Sequence, residues 1–542
     1  MRLRTLLVIL IISAPVYASG SKRQAVDSIT ESMLHKHIAI LASDEFGGRA
    51  PFSEGEKKTL DYLESEFRRM GLEPGNGDSY LQAVPLVSTT ITSSPVLLIK
   101  GGRGPQRFSA PEQFVVRNPR ITGGVNLSDV EIVFAGYGIT APEYGWNDYE
   151  SLDVEGKLVV VLVNDPGYAT RNTRLFNGKA MTWYGRWPYK YDEALRRGAS
   201  GVLVVHETGA AGYPWGTLEN SIPLPNFVID NEHAENSLAL EGWITTETAT
   251  AVFSQADLSF DELKEAAKQQ GFTGRALELT ADIAFDTSIL QRTSYNAVAG
   301  LAGSMRPDEA IIYTAHWDHI GTNPDITEGD NIYNGAVDNA SGVAGLLSIA
   351  EAFSRLEQPL ARSVYFLFLT AEEKGLMGAR YYVQNPVVPL NRTVAIINFD
   401  VINLIGPTQD LKVIGMGKSD LDSYLVKHAP DLELTPDPRP EAGFYYRSDH
   451  FEFARAGVPA LFTQGGIRHK EHGAARGLEA YDEYISKHYH RPSDEYDPDW
   501  DLRGAESDMK LLFKVGRDLA DSNAWPEWKE GDEFRAIRDA MM

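Results

Sequence analysis

The chain of 542 residues is long enough for two domains, and its composition, 43% hydrophobic and 23% charged, is that of a globular protein. The formal net charge of −24 excludes nucleic acid as a partner, because nucleic acids bind to basic surfaces. The chain has no cysteine, so a tightly held transition metal must use histidine nitrogen and carboxylate oxygen.

Residues 1–18 have the pattern of a secretory signal peptide. Arg2 and Arg4 precede the apolar stretch Leu6 to Ile12, and Val16-Tyr17-Ala18 provides a small-residue cleavage site. The apolar stretch is shorter than the roughly 20 residues that a membrane-spanning helix needs. We therefore expect an exported protein, periplasmic or secreted, without stable membrane insertion.

The rest of the chain divides by pattern into four parts. Residues 24–117 begin the main domain and include a helix whose apolar stripe ends at Gly71. In residues 118–256, short β-rich runs alternate with glycine, proline and aromatic turns, which indicates an inserted domain. Residues 257–525 return to alternating strands and helices, and residues 526–542 form a charged extension. The predicted fold is α/β, with a mixed, mainly parallel sheet flanked by helices.

Polar motifs follow apolar runs between Ile311 and Glu373. His316 follows a strand-like run, and Asp318, two residues on, shares its face and is placed to orient the imidazole. Asp338 directly precedes a stretch whose apolar residues recur at helical spacing, so we predict it at a helix N-terminus.

Further acids and a histidine follow in order. Glu372 and Glu373 come after a buried, parallel-type strand, where one can bind metal and the other hold the attacking water. Asp400 ends another apolar run, and His490 has Asp494 four residues on. Sites in α/β sheets form outside the carboxyl ends of the strands, and a pair of metals needs a bridging carboxylate. The set predicts a two-metal hydrolytic site.

These motifs resemble the five signatures of the di-zinc exopeptidase family, which includes the bacterial leucyl aminopeptidases, glutamate carboxypeptidase II and the transferrin receptor. The matching segments are His316-Trp317-Asp318, Asp338-Asn339-Ala340-Ser341-Gly342, Glu372-Glu373, Asn398-Phe399-Asp400 and His490 to Asp494. The resemblance covers the chain from about Leu41 onward. It implies that the insert is the protease-associated, or apical, domain of some members, which either shades the active-site cleft or only stabilises the fold.

The resemblance also implies a metal-ligand set. Asp338 would bridge two Zn²⁺ ions. His316 and Asp400 would complete one zinc site, and Glu373 and His490 would complete the other.

Catalytic roles follow in the same way. Glu372 would be the general base, and Asp318 would be the partner of His316. Family members place a tyrosine near the segment that follows Tyr445 and Tyr446 to stabilise the tetrahedral intermediate. Tyr445 and its neighbour are therefore the candidate oxyanion donors.

The resulting prediction is an aminopeptidase that acts on peptides with a free N-terminus. A carboxypeptidase or dipeptidase on the same centre is the alternative, and it needs basic residues such as Arg439, Arg447 or Arg468 to hold a substrate carboxylate. A glutaminyl-cyclase-like acyltransferase and a non-catalytic receptor-like protein are less favoured. The first lacks an inserted domain, and receptor-like relatives have lost metal ligands. The sequence predicts no particular oligomeric state.

Overall fold

The computed structural model describes residues 25–222, 224–230 and 237–542. The predicted signal peptide at residues 1–18 lies outside this part of the chain. Within the described ranges, no helix is both long enough and apolar enough to cross a membrane.

The strands form two large sheets that share one long strand, together with two small hairpins. In chain order they are β1 (Glu73–Pro74), β2 (Leu81–Ile91), β3 (Val96–Lys100), β4 (Gln106–Ser109), β5 (Phe114–Arg117), β6 (Gly124–Phe134), β7 (Thr140–Ala141), β8 (Trp146–Asn147), β9 (Leu158–Leu162), β10 (Gly201–His206), β11 (Asn226–Ile229), β12 (Leu240–Thr245), β13 (Arg275–Leu301), β14 (Arg306–His316), β15 (Gly321–Thr322), β16 (Ile332–Tyr333), β17 (Arg362–Leu369), β18 (Thr393–Phe399), β19 (Asp410–Ile414), β20 (Glu433–Pro436) and β21 (Ala460–Gly465).

The main sheet has the strand order β20–β19–β21–β18–β14–β17–β13–β2–β11. The strands β17, β14, β18 and β21 pair in parallel at its centre, and antiparallel pairs lie toward both edges. The central strands are apolar along nearly their whole length because helices cover both faces. The predicted α/β class is confirmed.

The second sheet has the order β4–β3–β13–β6–β9–β10–β12–β5. It begins at Val96 and reaches Asp286, so it extends beyond the boundaries 118–256 predicted for the insert. Conversely, β11 lies within those boundaries but pairs with β2 in the main sheet. β13 passes without a break from one sheet into the other. The alternation of apolar and polar residues in the sequence does not reveal this crossing, so it does not mark the boundary between the sheets.

Helices cover the two faces of the main sheet and pack around the second. They are α1 (Glu31–Leu41), α2 (Glu54–Met70), α3 (Pro166–Thr170), α4 (Trp187–Arg196), α5 (Thr208–Ala211), α6 (Trp215–Glu219), α7 (Thr246–Gln255), α8 (Phe260–Ala266), α9 (Gly342–Ser354), α10 (Met377–Gln384), α11 (Leu421–His428), α12 (His450–Arg455), α13 (Gly473–Glu483), α14 (Arg503–Asp521) and α15 (Arg535–Met541). The largest core lies where α1, α9 and α14 pack on the central strands. As predicted, α2 ends at Gly71, whose left-handed conformation (φ 71°) closes the last turn.

Candidate metal centre

Three of the central parallel strands deliver predicted site residues at their carboxyl ends. His316 is the last residue of β14, Glu372 and Glu373 follow β17, and Asp400 comes directly after β18. Because β14 pairs in parallel with both of the other strands, their carboxyl ends meet at one edge of the sheet. The side chains therefore gather there, although they lie far apart in the chain.

Asp338 reaches the same edge from an irregular turn, Ala336–Ser341, that leads into α9. The turn is fixed by the buried carboxylate of Asp494, which accepts hydrogen bonds from the main-chain N–H groups of Val337 (2.9 Å) and Asp338 (3.1 Å). The predicted position of Asp338 beside a helix N-terminus is confirmed.

The two oxygens of Asp338 face two different imidazoles. Nε2 of His316 lies 3.4 Å from Oδ1 of Asp338 and 3.5 Å from Oδ1 of Asp400. Nε2 of His490 lies 3.1 Å from Oδ2 of Asp338 and 3.2 Å from Oε2 of Glu373. The structure thus brings all five predicted ligands together, with Asp338 shared between the two groups.

This donor set fits a pair of small divalent cations. Two ligands held at about 2.0–2.1 Å from a tetrahedral zinc ion lie about 3.3 Å apart, which is close to the separations of these nitrogen and oxygen atoms. Nε2 of His316 is buried and has no hydrogen-bond partner among the described residues, so it is free to act as a ligand. Imidazole and carboxylate donors are the types that zinc accepts in sites that retain an open position.

The charges of the site also favour a cation. Burial lowers the pKa of His316, but Glu372, Asp338 and Asp400 overcome this effect and leave the pKa well above its ordinary value. Burial raises the pKa of Glu372 well above its usual range; His316 opposes this rise, and Asp400 and Glu373 add to it. Acidic groups are therefore crowded beyond what the imidazoles neutralise, and a bound metal ion would relieve that repulsion.

Asp318 contacts both His316 and the loop that carries Glu372. Its main-chain carbonyl accepts a hydrogen bond from Nδ1 of His316 at 3.1 Å, whereas its carboxylate Oδ1 lies 3.8 Å from that nitrogen. The same Oδ1 accepts a hydrogen bond from the main-chain N–H of Glu372 at 3.0 Å. Asp318 therefore orients the imidazole through its backbone and holds the Glu372 loop through its side chain.

His319 is a neighbour of the site to which the sequence analysis gave no role. Its Nδ1 lies 2.7 Å from Oε1 of Glu373, and with Asp338 and Glu373 it forms a second possible ligand group. A single nitrogen of His490 lies near both of these acids, so we retain His490 as the predicted ligand. His319 is placed to orient Glu373. The signal in the sequence was its position three residues after His316.

The structure does not support Tyr445 as the oxyanion donor. Tyr445 is buried among aromatic side chains, with its ring 4.7 Å from that of His450 and stacked on Phe534, and it does not line the cavity at the site. Its neighbour Tyr446 does line the cavity, but its hydroxyl donates to Glu533 at 3.0 Å. Tyr445 packs in an apolar cluster away from the site, and the sequence pattern does not predict this packing.

Tyr489 lies directly beside a predicted ligand. Its ring stacks on His490 at 3.9 Å between centroids, and it lines the cavity. Burial and then the carboxylates of Asp338, Glu373 and Glu372 raise the pKa of its phenol well above the ordinary value. The residue directly precedes a predicted ligand, and that adjacency was the available signal.

The candidate ligands open into a cavity of about 1100 Å³. Asp338, Glu372 and His490 lie on its wall, and Trp183 and Trp187 line it from residues within the predicted insert. The inserted region therefore forms part of the wall around the site.

The central parallel strands, with acids and imidazoles clustered at their carboxyl ends, define the zinc-exopeptidase class of α/β fold. The model of Peptidase family M28 matches residues 296–512, the segment that holds all five predicted ligands. This segment is thus similar to the M28 peptidases, in agreement with the resemblance seen in the motifs.

Two fungal proteins are similar in sequence to part of this chain. It is 28% identical over 237 residues to a probable leucine aminopeptidase 2 of Aspergillus oryzae, which covers 40% of this chain and 43% of the relative. It is 28% identical over 228 residues to leucine aminopeptidase 2 of Trichophyton rubrum, which covers 38% and 40% respectively. The chain spans less than half the length of these curated relatives.

Two solved structures are similar over nearly the whole chain. The aminopeptidase from Aneurinibacillus sp. strain AM-1 has 17% identity and a TM-score of 0.49, with 93% of this chain and 97% of that chain covered. BSAP, a zinc aminopeptidase from Bacillus subtilis, has 17% identity and a TM-score of 0.42, with 92% and 97% covered.

Proposed function

We propose that the protein is a zinc-dependent exopeptidase, and specifically an aminopeptidase that removes N-terminal residues from peptides. The main supporting observation is that Asp338 presents one oxygen to His316 and the other to His490, with a further acid beside each imidazole. The similarity to the M28 peptidases supports a peptidase, and the names of the fungal relatives support the aminopeptidase assignment. We propose two zinc ions because the shared carboxylate faces two separate ligand groups.

Glu372 is the proposed general base. Zinc ions, when bound, would supply Lewis-acid activation of water and of the scissile carbonyl. Glu372 lines the cavity and is not one of the five predicted ligands, so its carboxylate is free to take the proton of the attacking water. It would then pass this proton to the leaving amine. The hydrogen bond from its N–H to Asp318 keeps its loop in place during the transfer.

Tyr489 is the proposed donor to the oxyanion. A developing negative charge on the carbonyl oxygen is stabilised most effectively by a donor that is already in position. The stacking of Tyr489 on His490 holds its ring beside the ligand group, on the wall of the cavity.

A carboxypeptidase is the second candidate. Of the three arginines predicted to hold a substrate carboxylate in that case, one lines the cavity. That residue is Arg447. Arg439 and Arg468 lie outside the cavity lining, where they contact Asp482 and Glu433.

The two candidates differ in the substrate terminus that they require. The protein would be stripped of metal with a chelator, restored with Zn²⁺, and tested on a panel of aminoacyl anilides and N-blocked peptides. We expect turnover only after zinc is restored and only with free-amine substrates. Cleavage of N-blocked peptides alone would favour the carboxypeptidase, and no cleavage of any substrate by the zinc-restored protein would refute both.

We also propose that the protein is exported, on the basis of the charged and apolar pattern of residues 1–18. Expression in a bacterial host followed by N-terminal sequencing of the periplasmic fraction tests this. Mature protein that begins at Ser19 is expected, and full-length protein confined to the cytoplasm would contradict the proposal.

A further inference from the structure

The arginines that line the cavity divide into two kinds. They are Arg186, Arg380, Arg447 and Arg476. Arg380 lies 3.1 Å from the carboxylate of Glu452, and Arg476 lies 3.6 Å from that of Glu479, so the charges of both are balanced within the protein. The other two arginines have no such partner: among the described residues, no carboxylate lies within 4.0 Å of either guanidinium.

Arg186 and Arg447 both line the cavity, the first from the segment predicted as the insert and the second from the main domain. Arg186 belongs to the predicted insert, and its Nε is buried without a hydrogen-bond partner among the described residues. Arg447 precedes α12 of the main domain and extends toward the insert, where its Nη2 lies 3.9 Å from the position of a β-carbon on Gly212. Burial, and then the neighbouring Arg447, lower the pKa of Arg186 to about 10. The two guanidiniums therefore act on each other electrostatically.

Tyr213 is a third titratable group that responds to these charges. Burial raises the pKa of its phenol, and Arg186 and Arg447 both oppose that rise. The two guanidiniums line the same cavity as the metal-ligand acids Asp338, Glu373 and Asp400. No other arginine pair that lines the cavity lacks carboxylate partners in the part of the chain that the structure describes.

Two like charges without a counter-ion in a half-buried corner are unfavourable, and an anionic ligand would relieve this cost. The planar guanidinium matches a carboxylate through paired hydrogen bonds. The cavity, at about 1100 Å³, has room for a short peptide. A net charge of −24 makes a local cationic corner more selective, since anions have few other places to bind.

We propose that Arg186 and Arg447 form a carboxylate-binding subsite, shared between the two domains, that selects short peptides with a free carboxylate distant from the cleaved bond. The orientation of the peptide rests on the proposed aminopeptidase function, whereas the binding of the carboxylate does not. The carboxylate is supplied either by the C-terminus of a short peptide or by an acidic side chain.

The test measures binding by calorimetry in zinc-loaded protein that carries Glu372→Gln, so that the peptides stay intact. The probes are Leu-Gly-Gly and its C-terminal amide. A second pair, Leu-Asp-Gly amide and Leu-Asn-Gly amide, isolates the acidic side chain. We expect at least one acid to bind about tenfold more tightly than its neutral match, as for a hydrogen bond to a charged group. Arg447→Met and Arg186→Met should each remove that preference.

Arg476→Met is the matched control, since it removes a guanidinium from the same cavity that already has a carboxylate partner. It should retain the preference for the acid. Equal binding of acid and neutral peptides in both pairs, a preference that survives both Arg186→Met and Arg447→Met, or an equal loss in Arg476→Met would overturn the proposal. Because Arg447 is exposed, its variant keeps the test valid if the Arg186 variant misfolds.

Wild-type hydrolysis of leucine anilide, which has no carboxylate, reports on the proposed function separately. If the anilide is not hydrolysed but the acid preference persists in the binding assay, the aminopeptidase proposal fails and the subsite stands. If the anilide is hydrolysed but acid and neutral peptides bind equally, the subsite fails and the function stands.

Discussion

Oδ2 of Asp494 accepts a hydrogen bond at 3.1 Å from the main-chain N–H of Asp338, the acid shared by both ligand groups. Its other oxygen binds the preceding N–H, so both acceptors are used to fix one turn. Asp494→Asn would place an amide donor against one of these N–H groups and shift Asp338. We expect zinc affinity to fall roughly 10–100-fold, as measured by chelator competition. Asp499→Asn, an exposed change nearby, should bind zinc normally, and unaltered affinity in Asp494→Asn would contradict the assignment.

Glu372→Gln should retain zinc and lose turnover. Glutamine keeps the main-chain hydrogen bond to Asp318 but cannot accept a proton, so we expect kcat on leucine anilide to fall roughly 10²–10⁴-fold. Elemental analysis would measure the zinc content of the same preparation. Glu495→Gln, which changes an exposed acid on the cavity wall, is the control. Near-full turnover in Glu372→Gln would show that another group is the base.

Tyr489→Phe should lower kcat with little change in KM. Loss of a single oxyanion donor typically costs about 10²–10³ in kcat, because the donor acts mainly on the transition state. Tyr445→Phe is the informative control, since its hydroxyl lies away from the cavity and its removal should leave steady-state kinetics close to wild type. The reverse pattern in the two variants would restore the role first predicted for Tyr445.

Arg49→Met should destabilise the fold and disturb the metal site together. The buried guanidinium donates to the main-chain carbonyls of Leu41, Trp317, Asn334 and Gly335, at 2.6–2.9 Å, and so ties the loop after His316 to the turn before Asp338. Methionine leaves these acceptors unpaired, so the free energy of unfolding should fall by about 3 kcal/mol or more. Urea denaturation of the metal-free protein measures this. Arg103→Met, at an exposed ion pair, should change it by less than about 0.5 kcal/mol.

Stability should fall on acidification through His37. Burial lowers the pKa of this fully buried imidazole to about 4, with Glu66 opposing, whereas the unfolded chain titrates near its ordinary value of about 6.5. Between these values the unfolded state binds a proton that the folded state does not, so the loss grows as pH falls from 6.5 toward 4 and is absent above 6.5. It amounts to about 2 kcal/mol at pH 5.

Urea denaturation of wild type and His37→Gln at pH 7.5 and pH 5 tests this pH dependence. The variant loses the hydrogen bond to Tyr62 at both pH values but has no imidazole to protonate, so its stability should change less between them. Parallel losses in the two proteins would rule out His37 as the source.

The sequence predicted the parts of the site that follow regular strands. His316 and Asp400 lie at the ends of apolar runs that are long enough to read as buried parallel strands, and Glu373 follows a third run by a short turn. Side chains placed by tertiary packing were not predictable in this way. The contact of His319 with Glu373 depends on the path of the loop after β14. The burial of Tyr445 depends on aromatic neighbours distant in the chain, such as Phe534 directly before α15.

The domain boundaries were the least predictable part of the fold. Local alternation identifies a strand but not the sheet to which it belongs, because partner choice is decided by residues distant in the chain. β11 shows this directly, since it lies between β10 and β12 of the second sheet in sequence but pairs with β2 in the main sheet.

The continuity of β13 limits how the two sheets can move. Its early residues pair with β6 and β3, and its later residues pair with β2 and β17, so a large rotation of one sheet against the other must break backbone hydrogen bonds at this crossing. Domains joined only by loops swing freely by default, whereas this junction resists hinge bending. The width of the cavity beside the ligand-bearing edge is accordingly set by folding, and this width would limit the size of the peptides that the proposed aminopeptidase accepts.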